Sequence, residues 1–237
     1  MKRWVPWLVA VLAFTLFVSL GRWQWGRAHE KQAMLDAQAA TLSARRPVPA
    51  TSLAEPVRRL DWIALEGEFV DAPAVLLDNQ LREGRAGVRA YRLFSAQGAA
   101  LPVLVELGWL PLPPDRRLPT VERPGGRHAV EGLLLPPPSA GFALGSAATA
   151  QPDGSLLLMR LEPATLATAL GASAGIAPRV LRLDPALSLG YERDLDVLTN
   201  TLPPEKHRGY AVQWWGLATA VLVIALVLGL RRRRSAA

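Results

Sequence analysis

Apolar positions in this chain gather into two long unbroken runs, one near each end, with shorter alternating runs between them. Residues 4–21 (WVPWLVAVLAFTLFVSLG) carry no charge, and at 1.5 Å per residue they are about long enough for a hydrocarbon layer of roughly 30 Å. Residues 211–230 form the second run and are followed directly by Arg231, Arg232, Arg233 and Arg234. The pattern predicts transmembrane helices over 4–21 and 211–230 and a basic tail over 231–237. Helix formers continue beyond the first run until Arg45-Arg46-Pro47, which predicts a helical extension over 22–46.

From Leu60 the period changes to two. Ile63, Leu65, Gly67 and Phe69 alternate with Trp62, Ala64, Glu66 and Glu68, as in a strand with one covered face. Further strands are expected over 74–77, 88–94, 102–109, 129–135, 155–161 and 178–183, with a short helix over 163–170 that opens on a proline. Asp78-Asn79-Gln80 and Glu83-Gly84 supply turn chemistry between the second and third of these strands. Residues 111–126 hold five prolines and two glycines, too many for a regular element, and are expected to form a loop. Short strands between proline and glycine turns favour an antiparallel sheet or small barrel over an alternating βαβ layout. The expected fold is therefore an α+β membrane protein, two transmembrane helices flanking a β-rich extracytoplasmic domain over 47–209.

The net charge of +7 changes meaning once its residues are located. Lys2, Arg3 and the four terminal arginines flank the outer ends of the two runs, and without them the chain carries about one net charge. A nucleic-acid partner is excluded on that ground. The same flanks place both termini in the cytoplasm and the middle outside it, in the bacterial inner membrane with a periplasmic domain. Arg22, Arg27 and Lys31 oppose this rule, but a long domain translocates largely regardless of its charge. Met-Lys-Arg followed by an apolar run also resembles a cleaved secretory signal. The run is longer than the usual ~7 to 15 residues of such a leader, so an uncleaved anchor is expected.

The chain has no cysteine, which removes disulfides, thiolate metal sites and thiol nucleophiles together. It lacks a Gly-x-Ser-x-Gly elbow, a phosphate-binding glycine loop with lysine, and His-Glu-x-x-His. Carboxylate pairs such as Glu66 with Glu68, or Asp194 with Asp196, share a strand face if extended, where solvation explains them as readily as acid–base work. The chain points to binding, and no enzymatic activity is expected.

Of three histidines, His128 follows a glycine turn and His29 lies on the helical extension. His207 differs. Lys206 and Arg208 flank it, and Tyr210 and Trp214 follow at three and seven positions, on one side of a helix entering the membrane. Such an imidazole can ligate a haem iron while cations meet the propionates, although a plain interfacial histidine fits the same residues. Trp23, Arg27 and Lys31 recur at helical spacing beyond the first run, and an interfacial belt of tryptophan and arginine accounts for them on composition alone.

Leu20-Gly21-x-Trp23-Gln24-x-x-Arg27-x-x-x-Lys31 after the first run and His207-x-x-Tyr210-x-x-x-Trp214 at the second resemble the Surfeit locus protein 1 family. Gly67-x-Phe69, Leu77-Asp78-Asn79 with Gly84 and Gly87, Leu104-Val105, Gly108-Trp109-x-Pro111 and Glu131-Gly132 follow in that family's order, so the resemblance covers almost the whole chain. It departs at Gln80, where the family commonly has arginine, at Leu107, where arginine is usual, and at Val88, where tyrosine is common. These departures put the outer domain's partner surface in question more than the membrane site.

The resemblance implies an assembly factor of the respiratory chain, a chaperone-like protein for the haem-copper terminal oxidase, cytochrome c oxidase. Its implied cofactor is haem a, held transiently at the membrane edge and passed to the oxidase large subunit. Implied partners are that subunit, other oxidase assembly factors and the lipid bilayer. The family's haem-associated histidine matches His207, which supplies the implied iron ligand; Tyr210, Trp214, Trp23 and Arg27 complete the implied cofactor-binding set. The alternatives are a cofactor-free scaffold that stabilises oxidase assembly intermediates and a membrane-anchored periplasmic enzyme.

Overall fold

A computed structural model describes residues 4–56, 59–138, 148–198 and 201–234, the last three without their side chains. Lys2, Arg3, the side chains of Arg232 to Arg234 and residues 235–237 of the expected tail lie outside the described residues. The chain divides into two compact units, Met1–Asp36 with Thr201–Ala237, and Ala37–Asn200.

The first unit is helical. Helix α1 (Val5–Ala44) runs unbroken through the first apolar run and its expected extension. Arg45, with φ of 40°, takes the left-handed conformation that often closes a helix, its N–H bonding Thr41 O at 2.9 Å, and Pro47 prevents resumption. At the other end of the chain Pro204 opens helix α3 (Pro204–Arg234), with Glu205 in its first turn favouring the positive end of the helix dipole. Both helices are long and apolar enough to cross a membrane. Leu12, Val212, Ile224 and Leu226 are each more than half exposed, which suits a lipid environment and would be costly in water.

The second unit is a β domain of nine described strands: β1 (Pro47–Val48), β2 (Asp61–Phe69), β3 (Val75–Arg82), β4 (Arg85–Ala96), β5 (Val103–Pro111), β6 (Arg127–Leu135), β7 (Ala148–Ala150), β8 (Leu156–Leu158) and β9 (Val180–Leu183). A short 3-10 helix (Ala50–Ala54) precedes β2, and helix α2 (Pro163–Leu166) precedes β9. The sheet order is β1-β2-β6-β9-β5-β4-β3-β8-β7, and β2 also pairs with β4 through Gly67 to Phe69. That extra pairing closes β2, β6, β9, β5 and β4 into a ring, so the small-barrel alternative describes the core of the domain. The sheet is mixed, because β1–β2, β3–β8 and β5–β9 run parallel.

Alternation places one apolar layer inside the ring and another outside it. Ile63, Leu65, Val88, Phe94, Val105, Leu107, Val130 and Leu181 belong to the inner cluster. Val75, Tyr91, Leu93, Leu104, Leu133, Leu156, Leu166 and Val180 form the outer one, under α2 and the loop beyond it. Val88 and Leu107, two of the departures from the family pattern, are thus core residues, 0% and 1% exposed, and leave the exposed surface unchanged. The expected turn at Asp78-Asn79-Gln80 is instead a bulge within β3, where Asn79 has φ of 57° and the register against β4 shifts. The chain reverses at Glu83-Gly84, both at positive φ, as hairpin turns of the mirror-image type require. The short helix stops at Leu166, four residues before its expected end at Leu170.

One ionic cluster is buried in the outer layer. Glu106 of β5 sits between Arg89 of β4 and Arg182 of β9, with Arg182 Nε at 3.0 Å and Tyr91 Oη donating at 3.2 Å. Burial opposes the charge on Arg89, yet Glu106 beside it holds its guanidinium above the ordinary value. Burial and the Glu106 carboxylate push the Tyr91 phenol well up. The sheet order brings these residues together from three adjacent strands.

The paired helix mouths as candidate functional site

Within the helical unit α1 and α3 pack antiparallel along a seam of small residues. Gly21, Ala28, Ala211 and Ala218 are buried there. A side chain at Gly21 would collide with the Trp215 indole, and one at Gly229 would come within 2.9 Å of Trp7. Phe17 stacks on Trp214 at 5.6 Å, and Trp25 meets Trp215 at 5.7 Å. Small residues at the seam let the backbones approach, and aromatic rings fill the space on either side.

Toward the mouth of the pair the contacts become polar. Arg208 Nη2 donates to Gln32 Oε1 at 3.2 Å, and Lys31 Nζ donates to Thr201 Oγ1 at 3.2 Å. His207 Nδ1 lies 2.7 Å from Gln24 Oε1. An amide oxygen only accepts, so Nδ1 carries the proton and Nε2 keeps its lone pair. No hydrogen bond to Nε2 occurs among the described residues. His207 precedes the apolar run at 211–230, and its imidazole is held below its ordinary range, first by burial and then by the Arg27 and Lys31 cations. Neutral imidazole, the form with a lone pair, is favoured accordingly.

At 100° per residue Trp25 lies on one side of Gln24 around α1, and Arg27 and Trp23 lie on the other, at about 60° and 100° respectively. On α3 Trp215 and Tyr210 diverge from His207 in the same way. The contact of Trp25 with Trp215 closes one flank of the pair, leaving Arg27 and Tyr210 on the open one. Arg27 is partly exposed and bonded to Glu30 at 2.5 Å. Tyr210 is 42% exposed, and Trp214 is turned onto Phe17. Trp23, 57% exposed, makes no ring contact or hydrogen bond among the described residues and stands outside the group around the imidazole. Burial lowers the Lys31 ammonium, Arg27 lowers it further, and Glu30 opposes both.

The structure thus brings Arg27 and Lys31 near His207, leaves Tyr210 exposed on the open flank, turns Trp214 onto Phe17 two helical turns further along, and leaves Trp23 aside. Gln24 was missed as a functional residue by sequence reasoning, although it stands inside the quoted motif. Its one signal was position, seven residues after Phe17 on the face that α3 covers. The other histidines are occupied locally. His29 Nδ1 bonds Trp25 O at 2.9 Å, and His128 Nε2 bonds Gly125 O at 3.0 Å with its ring on Phe69.

In the β domain a cleft of about 290 Å³ is lined by Arg82, Arg89, Trp109, Asp194 and their neighbours. Its charges are engaged: Arg82 pairs with Asp194 and Glu192, and Arg89 with Glu106. Among the described residues no group of three metal-ligating side chains occurs.

Two membrane-capable helices that precede and follow a mixed β barrel in sequence, with one imidazole fixed where the helices meet, define the class as a membrane protein with two candidate spans and a β-rich domain between them. The SURF1 family model matches residues 11–219, which takes in most of α1, the whole β domain and the first half of α3, and the chain belongs to that family. The family is known in cytochrome c oxidase assembly. No curated protein matches the chain.

Proposed function

We propose that this protein is an assembly factor for the haem-copper terminal oxidase that binds haem a transiently at the membrane edge and aids its insertion into the oxidase large subunit. The observation that carries this reading is the orientation of His207. Its Nδ1–H is spent on Gln24, and its Nε2 lone pair has no hydrogen-bond partner among the described residues. That donor chemistry fits a haem iron, for which neutral imidazole is a common axial ligand.

Iron coordination would come from His207 Nε2, the propionates would find Arg27 and Lys31, and Tyr210 and Trp214 would offer aromatic surface to the macrocycle. Trp23 would serve at the outer edge, in the headgroup layer. Bound haem would supply only an iron centre to be delivered, so the protein acts as a carrier and not an enzyme. A large apolar macrocycle is poorly soluble, and a site at the bilayer edge spares it from water.

Retention of the first span is supported by its packing on α3 through Trp7, Phe17 and Gly21, a role that a removed leader would not have. The basic flanks support an inner-membrane location with both termini cytoplasmic and the β domain periplasmic. The β domain, whose cleft charges are internally paired, serves as the docking body for the oxidase subunit and other assembly factors.

The test is to purify the protein from membranes that make haem a and from membranes that cannot. Pigment should accompany the wild type only from the first, and His207→Ala from the same cells should be colourless though normally inserted. A colourless wild type from both would leave the cofactor-free scaffold.

A further inference from the structure

His207 and Gln24 are 183 positions apart, so their hydrogen bond is a product of helix pairing and not of local sequence. Gln24 lies three residues after Gly21 and four before Ala28, both buried at the seam. With glycine and alanine on either side, α3 comes close enough for a glutamine of ordinary length to reach the imidazole. A free neutral imidazole ordinarily carries its proton on Nε2; here an acceptor at Nδ1 reverses that preference.

We infer that Gln24 is the positioning residue of the site, fixing the Nδ1–H tautomer of His207 so that Nε2 is the nitrogen offered to a ligand. This rests on the reading of His207 as the iron-facing residue. The amide also accounts for transience. A carboxylate at position 24 would be a stronger, charge-assisted acceptor, would draw the imidazole toward imidazolate and would tighten its hold on iron. An amide orients the ring without that added basicity, which suits cargo that must be released.

The experiment uses full-length protein in nanodiscs, ¹⁵N-labelled at histidine, in the wild type, Gln24→Leu, Gln24→Glu and His207→Ala. With only three histidines in the chain, loss of a resonance in His207→Ala assigns it. Without haem, at a pH where imidazole is neutral, wild type and Gln24→Glu should show a protonated Nδ1 and a bare Nε2, and Gln24→Leu should show the proton moved to Nε2. Haem a is then titrated into each. Affinity should fall about 10–100-fold in Gln24→Leu and be kept or raised in Gln24→Glu, with slower release from the latter. A wild-type Nε2–H signal, or an unchanged tautomer in Gln24→Leu, overturns the positioning role whether or not haem binds. Haem binding through His207 that Gln24→Leu leaves unaltered overturns it too, with the carrier reading intact. The expected tautomers without haem binding to wild type would instead sink the carrier reading.

Discussion

The indole of Trp215 fills the space into which any side chain at Gly21 would project, so the approach of the two membrane helices depends on the absence of a Cβ at one position of α1. Gly21→Val is expected to destabilise the pair by about 1–3 kcal/mol, the usual cost of overpacking a filled interface. Trp215→Ala in the same chain should recover part of that loss. Thermal unfolding in detergent, followed by tryptophan fluorescence, checks both, and additive losses in the double variant would contradict the contact.

Glu106 is the carboxylate on which Arg89 and Arg182 converge inside the β domain. Glu106→Leu should cost about 3–5 kcal/mol in denaturant unfolding, because it leaves two buried cations without their shared partner. Glu106→Gln should fold better but remain well below wild type. A loss under about 1 kcal/mol for Glu106→Leu would mean that the cluster is solvated and not buried.

Asp194 ties a loop to the barrel through Arg82. Burial alone would raise its pKa, but the Asp196 N–H and the Arg82 guanidinium hold the carboxyl below its ordinary value. A depressed folded-state pKa adds stability that is present above the unfolded value, near about 4, and is lost as pH falls through the folded one. The melting-temperature gap between wild type and Asp194→Asn should therefore be open at neutral pH and close on acidification below about pH 4. A gap that stays constant or widens in acid would contradict the assignment.

Elements whose information is local were legible in the sequence. The apolar runs, the helix stop at Arg45-Arg46-Pro47 and the alternation of β2 are set by nearest neighbours along the chain. What escaped depended on distant partners. β1 and β7 are too short to carry a period and exist because β2 and β8 offer them edges. Asp78-Asn79 has the composition of a turn but is held within a strand by pairing to β4 at Leu77 before it and Gln80 after it, so its left-handed residue became a bulge. The strand over 102–109 was readable, but the partners of Glu106 within it come from the order β4-β5-β9, which supplies its arginines. At the helix mouths the spacing of His207, Tyr210 and Trp214 was readable, whereas the bond to Gln24 and the outward position of Trp23 needed the angle at which α3 meets α1.

Tyr210 and Arg27 flank the open side of the pair without touching the imidazole's bonded nitrogen. In the proposed site, Tyr210→Ala and Arg27→Ala should each weaken haem retention several-fold while leaving the ligand to iron in place, since they would meet the macrocycle and its propionates. Absorbance titration in nanodiscs gives the affinity, and a change in the ligand-sensitive bands of either variant would contradict this division of labour.

The most direct measurement is resonance Raman spectroscopy of the reduced, haem-loaded protein with ¹⁵N-labelled histidine. An isotope-sensitive iron–imidazole stretch should be present in the wild type and absent from His207→Ala, with His29→Ala and His128→Ala unchanged. Persistence of that band in His207→Ala, or its absence from the wild type, would contradict the assignment of His207 as the iron ligand.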